Sequence, residues 1–155
     1  MFHNRRWDTD IRTLRGVLGR VGDVWRFDSR FDLDEPATVD AGPGGGLLRD
    51  LGSHVVDQAI WLFGPVTRVY ANLDLITLPE GETDAGFVLT LTHANGVHSH
   101  LSASKINRLV SRELRVLGSA GSYTSSYTDV QAQAIFAGKR PADDPAGWGY
   151  ERPSG

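Results

Sequence analysis

From residue 66 onward the chain alternates apolar and polar residues in one run after another. That period of two constrains the fold more than any other feature. It sends successive side chains to opposite faces of a strand, so one face can be buried while the other stays wet. Runs at 66–76, 85–93, 96–105, 112–118 and 121–126 fit the pattern. Asn95-Gly96 interrupts FVLTLTHANGVHSHLSAS and predicts a hairpin, with a type I′ turn expected. Gly118-Ser119-Ala120-Gly121 predicts a second tight connection, between RELRVL and SYTSS. Strands joined by such short links pair antiparallel.

The first part of the chain reads differently. Residues 8–18 place Ile11, Leu14 and Leu18 at helical spacing, with Asp8 or Thr9 as candidate N-cap. Residues 24–33 alternate through Trp25, Phe27, Ser29 and Phe31, a strand with one wet face in which the aromatics are expected to pack. A Pro/Gly/Asp-rich loop over 34–45 leads into a second helix. Its apolar stripe is Leu48, Leu51, Val55, Ala59 and Leu62, and Gly64-Pro65 stops it. Residues 129–138 suggest a short helix ending at Gly138. Helix, strand, helix and then a run of strands in 155 residues predict one α+β domain. Its expected form is an open, predominantly antiparallel sheet with helices packed on one face.

Composition narrows the function classes. A formal net charge of −3, with no Lys/Arg run longer than two, gives no electrostatic footprint for nucleic acid. The absence of cysteine rules out a disulfide framework and thiolate chemistry, and fits a cytoplasmic protein. No apolar stretch has the roughly 18 residues of a membrane span, and no signal-peptide core opens the chain. MFHNRRWD at the start and DDPAGWGYERPSG at the end read as edges of something longer.

The second helix holds the chemistry. Asp50, His54 and Asp57 fall at i, i+4 and i+7, one stripe of a helix entered through Gly44-Gly45-Gly46. A carboxylate one turn before a histidine can fix its tautomer and raise its basicity, which suits a general base for a hydroxyl proton. The glycines clear side-chain bulk where a ligand or another backbone approaches, and the helix N-terminus adds a positive field. The competing reading is a surface pair that contributes a few tenths of a kcal/mol to the helix. Other groups read as structural. His93, His98 and His100 cluster around the hairpin. His98 and His100 share one strand face at a spacing that can hold a metal, but no third and fourth ligand is evident and a polar sheet face is the expected reading. Arg5-Arg6 with Arg12 and Arg15 suit solvated or interdomain contacts. Tyr123 and Tyr127 mark a strand and a turn.

The string Gly44-Gly45-Gly46-Leu47-Leu48-Arg49-Asp50-Leu51-Gly52-Ser53-His54-Val55-Val56-Asp57 resembles the signature helix of the Gfo/Idh/MocA oxidoreductases. HNRRWDTD at 3–10, GRVGDV at 19–24 and LRVLGSAGSY at 114–123 are similar to segments of that family's second domain, in the expected order. The NRRWD opening is closest to the branch with scyllo-inositol dehydrogenase-like members. The resemblance implies a dihydrodipicolinate-reductase-like C-terminal domain for substrate binding and oligomerisation. It further implies His54 as general base with Asp50 as acidic partner, acting on a secondary hydroxyl or ketone of a sugar, inositol or similar polyol. Asn4, Arg5 and Trp7 match the segment that crosses into the site. With Gly45, Gly46 and Asp57, they are the expected substrate-binding residues, Asp57 in a structural or supporting capacity.

The family's glycine-rich dinucleotide fingerprint and its Glu-Lys-Pro segment are absent from these 155 residues. NAD or NADP is therefore expected to be bound mainly by a Rossmann domain outside this chain, and the isolated chain is expected to be inactive. A homo-oligomer through the open sheet face is the expected assembly. The alternative function is a non-catalytic sugar-binding or dimerisation module.

Overall fold

The alternating runs assemble into one sheet of six strands. The computed structural model describes residues 3–126, 134–135 and 137–143. The strands are β1 (Val24–Asp34), β2 (Val66–Leu78), β3 (Gly81–His93), β4 (His98–Ser104), β5 (Ile106–Gly118) and β6 (Ser122–Ser125). Their order is β2-β3-β4-β1-β5-β6. Every pair is antiparallel except β1–β4. The parallel pair has a physical cause: the chain leaves β1 through a helical crossover and returns two strands later, beside β1 and in its direction. As a result β1 lies between β4 and β5, two strands that adjoin in sequence and do not pair with each other.

Helix α1 (Thr9–Val17) and helix α2 (Ser53–Phe63) cover one face. Ile11, Leu14, Val55, Ala59 and Phe63 from the helices meet Phe27, Phe87, Leu91, Leu101 and Val116 from the sheet, all buried. Phe27 and Phe63 stack with ring centroids 5.2 Å apart. Each such side chain contributes about 1.5–3 kcal/mol of transfer free energy. The opposite face is polar. One row across the sheet reads Tyr70, Thr90, His100, Asp28, Arg115 and Thr124. The expected α+β architecture, an open and mainly antiparallel sheet with helices on one side, is what forms.

Several local expectations change. The hairpin turn is not type I′, because among Ala94, Asn95 and Gly96 only Gly96 has positive φ, at +88°. Gly96 N–H donates to the His93 carbonyl at 3.0 Å and His93 N–H to the Val97 carbonyl at 2.9 Å. This is a three-residue connection ending in a left-handed glycine, the other common hairpin solution. Trp25 is 59% exposed, because the register shifts between Val24 and Arg26 and takes it out of the alternation. His93 is buried, bonded to the Gly64 carbonyl and to Ser99, while His98 and His100 lie exposed on the open face. The expected Asp8 cap also differs, since the Asp8 carboxylate goes to Arg112 rather than to the helix N-terminus. Tyr127 and most of the 129–138 helix lie outside the described residues.

The entry to α2 sets where its side chains point. A widened π-type turn, Leu48–Gly52, precedes the helix proper. Asp84 on β3 accepts the Leu48 N–H at 2.6 Å, capping the helix from 36 residues away in sequence. Gly46, at φ +92°, is left-handed, and a Cβ there would collide with that same carboxylate. Gly52 lies against the sheet, where a Cβ would meet the Phe87 ring at 3.3 Å. Gly64, at φ +84°, ends α2 where the Gly-Pro stop was expected.

Replacing Asp84 by Ala removes the carboxylate cap and is expected to lower unfolding free energy by about 1 kcal/mol. Urea titration checks it; a loss below about 0.3 kcal/mol would show that the cap is not what holds the turn.

Candidate functional site

Asp50 sits in the widened turn with its side chain 54% exposed, and its Oδ2 lies 3.1 Å from Lys105 Nζ. Lys105 is only 13% exposed, and its ammonium also approaches the Thr38 carbonyl at 3.5 Å. These residues share a cavity of about 370 Å³ with Val39, Asp40, Leu47, Arg49 and the glycines Gly44, Gly45 and Gly46. The structure thus brings Asp50, Gly45 and Gly46 into the lining of one cavity. Lys105 was not legible beside them. It ends the apparent strand run HLSASK, and only the wedge of β1 turns that end toward the helix entry.

His54 lies one turn beyond Asp50, half-buried and outside the lining of that cavity. Its Nδ1 is buried and has no hydrogen-bond partner among the described residues. The ring meets His3 edge-on, centroids 5.7 Å apart. Burial, then the charges of Arg5 and His3, push the imidazole pKa below 6.5, against smaller upward pulls from Asp50 and Asp8. The ring is therefore neutral at pH 7 and able to accept a proton. Here the sequence expectation needs correcting: Asp50 does not fix the His54 tautomer, because its carboxylate is paired with Lys105.

Asp57, the third member of the stripe, is committed elsewhere. Arg6 holds it with two hydrogen bonds, 2.7 and 2.6 Å, which keep its carboxyl below the ordinary range. Gln58 donates to the Arg5 carbonyl at 2.8 Å. Together these contacts clamp the opening turn, Asn4–Trp7, against α2. Arg6 and Arg15 both lie over the Trp61 ring, at 5.6 and 4.3 Å. Arg5 stacks over Phe31 at 4.7 Å while its charge reaches His54. Asn4 and Trp7 are exposed on the same turn, Trp7 at 70%. His3, which sequence reasoning passed over as the first residue of HNRRWD, is the ring nearest to His54.

The glycine loop does not suit a dinucleotide's phosphates. Gly45 N–H is spent on the Gly42 carbonyl, Gly46 N–H on the Asp40 carbonyl and Leu48 N–H on Asp84. A phosphate-binding nest needs such donors free. No group of three potential metal ligands occurs among the described residues. Nor is any helix among them long and apolar enough to cross a membrane.

Comparison with known proteins agrees with this fold. Residues 13–124 match the GFO/IDH/MocA C-terminal domain family. The chain is 36% identical over 164 residues to the uncharacterized oxidoreductase YdgJ of Escherichia coli K12, covering 100% of this chain and 46% of that protein. It is 30% identical over 160 residues to the Bacillus subtilis scyllo-inositol 2-dehydrogenase (NADP(+)) IolW, covering 99% of this chain and 44% of that one. Among solved structures, the oxidoreductase yvaA of Bacillus subtilis superposes with a TM-score of 0.77 at 31% identity, over 97% of this chain and 44% of its own. The chain therefore spans less than half the length of these relatives. With the signature helix, the sheet order and these matches in agreement, the chain belongs to the Gfo/Idh/MocA oxidoreductases and carries their C-terminal domain.

Proposed function

We propose that this chain is the substrate-binding and oligomerisation half of an NAD(P)-dependent dehydrogenase. Its substrate is a secondary alcohol or the matching ketone on a sugar, inositol or similar polyol. The observation that carries the reading is His54, a neutral, half-buried imidazole with a buried and unpartnered Nδ1 on the family's signature helix. A nicotinamide held by a separate nucleotide-binding domain supplies the hydride acceptor or donor. In the oxidative direction His54 takes the hydroxyl proton as the carbon gives up its hydride, leaving a ketone and an imidazolium. Asp50 and Asp8 lie close enough for their charges to favour that imidazolium.

The remaining candidates fall into supporting roles. Gly45 and Gly46 shape the cavity wall beside Asp50. The charge of Arg5 reaches His54 from the opening turn that also carries Asn4 and Trp7, and Asp57 acts by clamping that turn through Arg6. IolW, whose name gives scyllo-inositol and NADP(+), supports a cyclic polyol and a nicotinamide cofactor. Alone, the 155 residues are expected to show no turnover, since they lack a dinucleotide cradle.

The open sheet face is proposed to take a second copy of the chain. A groove of about 670 Å³ there is lined by Arg26, Arg30 and Arg115 beside Asp28 and Glu113, with the exposed Val88 among them. A surface carrying both charge signs can be self-complementary about a two-fold axis.

In the protein that contains this chain, His54→Asn is expected to lower kcat/KM for polyol oxidation about 10²–10⁴-fold. The wild-type profile should fall on its acid side with a midpoint below 6.5, because the base is lost only as pH drops through its lowered pKa. Steady-state assays with scyllo-inositol and NAD(P)+ read both; activity near wild type in the variant would rule out His54 as the base, and no turnover by the wild type with any polyol would favour the non-catalytic module. Light scattering should show a dimer or larger, which Val88→Arg breaks; a monomeric wild type contradicts the proposed interface.

A further inference from the structure

The i, i+4 spacing leads one to expect an Asp50–His54 dyad, yet the carboxylate turns to Lys105, 3.1 Å away. Lys105 can compete because its backbone is pinned at the corner between β4 and β5. Its N–H donates to the Ala85 carbonyl at 2.9 Å, and its own carbonyl accepts the Glu35 N–H at 2.8 Å. Contacts to β3 and to the end of β1 thus fix where the side chain starts. With its side chain only 13% exposed, Lys105 has little room to swing away from the carboxylate it meets there. Among the described residues, Asp50 is the one carboxylate within salt-bridge distance of it.

We propose that Lys105 is a positioning residue of this site: it holds the Asp50 carboxylate away from His54 and thereby leaves the imidazole without a carboxylate partner. The inference rests on the reading of His54 as base, but the geometry behind it can be tested without turnover. The charged groups facing His54 are His3, Arg5 and Asp8 from the opening segment, and Asp50 and Asp57 from its own helical stretch. Arg6 neutralises Asp57, and Arg112 with Arg5 offsets Asp8. Asp50 is then the carboxylate left that could move onto the His54 ring, and its pairing with Lys105 holds it off. Removing the ammonium lets Asp50 turn back one helical turn and pair with the imidazole.

The experiment is an NMR pH titration of the His54 ring in the full 155-residue chain and three variants. In Lys105→Met the midpoint should rise by about one pH unit, as a carboxylate comes into contact with the ring. Lys105→Arg, which keeps the cation, should stay with wild type. Asp50→Asn alone should move the midpoint little, since Lys105 already occupies that carboxylate. An unchanged midpoint in Lys105→Met overturns the proposal. So does a drop of about one unit in Asp50→Asn, the sign of a direct dyad. Asp50 is half-exposed, so its variant decides the matter even if Lys105→Met does not fold. A dehydrogenase assay that failed would leave these midpoints untouched, which separates the two readings.

Discussion

The placement of β1 between β4 and β5 is the constraint on which the rest of the structure depends. Its hydrogen bonds to both neighbours, parallel on one side and antiparallel on the other, stop β4 and β5 from closing on each other. The chain must therefore turn a corner at Lys105 instead of a tight hairpin. That corner leaves Glu35 and Ala85 bonded to Lys105, and it aims a lysine at the entry to α2. The same arrangement brings β3 beneath the entry, where Asp84 caps the helix and Phe87 lies against Gly52. Site and scaffold thus share the same backbone contacts.

The signature helix divides its ionisable groups among different tasks. Asp57 goes to Arg6 and fastens the opening turn, while Asp50 goes to Lys105 at the cavity wall. His54, between them in sequence, keeps a buried nitrogen without a partner. An unsatisfied buried polar atom costs about 1–3 kcal/mol, so its retention on this helix calls for a use. The two ion pairs offset the charges around the ring, so that burial dominates and keeps it neutral.

Much of the fold was legible, because period-two alternation reports directly on a half-buried sheet. The bounds of β1, the second helix with its Gly64 stop, and the α+β class follow from residue pattern alone. The parallel β1–β4 pairing was not legible, since it depends on a crossover that no local window contains. Likewise the hairpin geometry turned on the φ of Asn95, which tolerates either sign. In the site, Asp50 and His54 were visible by spacing, and Gly45 and Gly46 by composition. Lys105 and Asp84 were hidden because each acts across more than 30 residues of sequence on the helix entry. The glycines carried a double meaning: Gly46 and Gly52 are required by close approach of protein atoms, whatever a ligand asks of their neighbours.

The account's central claim is that His54 meets the reacting hydroxyl. A crystal structure of the protein that contains this chain, with nicotinamide cofactor and scyllo-inositol bound, tests it most directly. The account predicts an inositol hydroxyl oxygen within about 2.6–3.2 Å of a His54 ring nitrogen. An inositol seated elsewhere, with His54 still unpartnered, would contradict it.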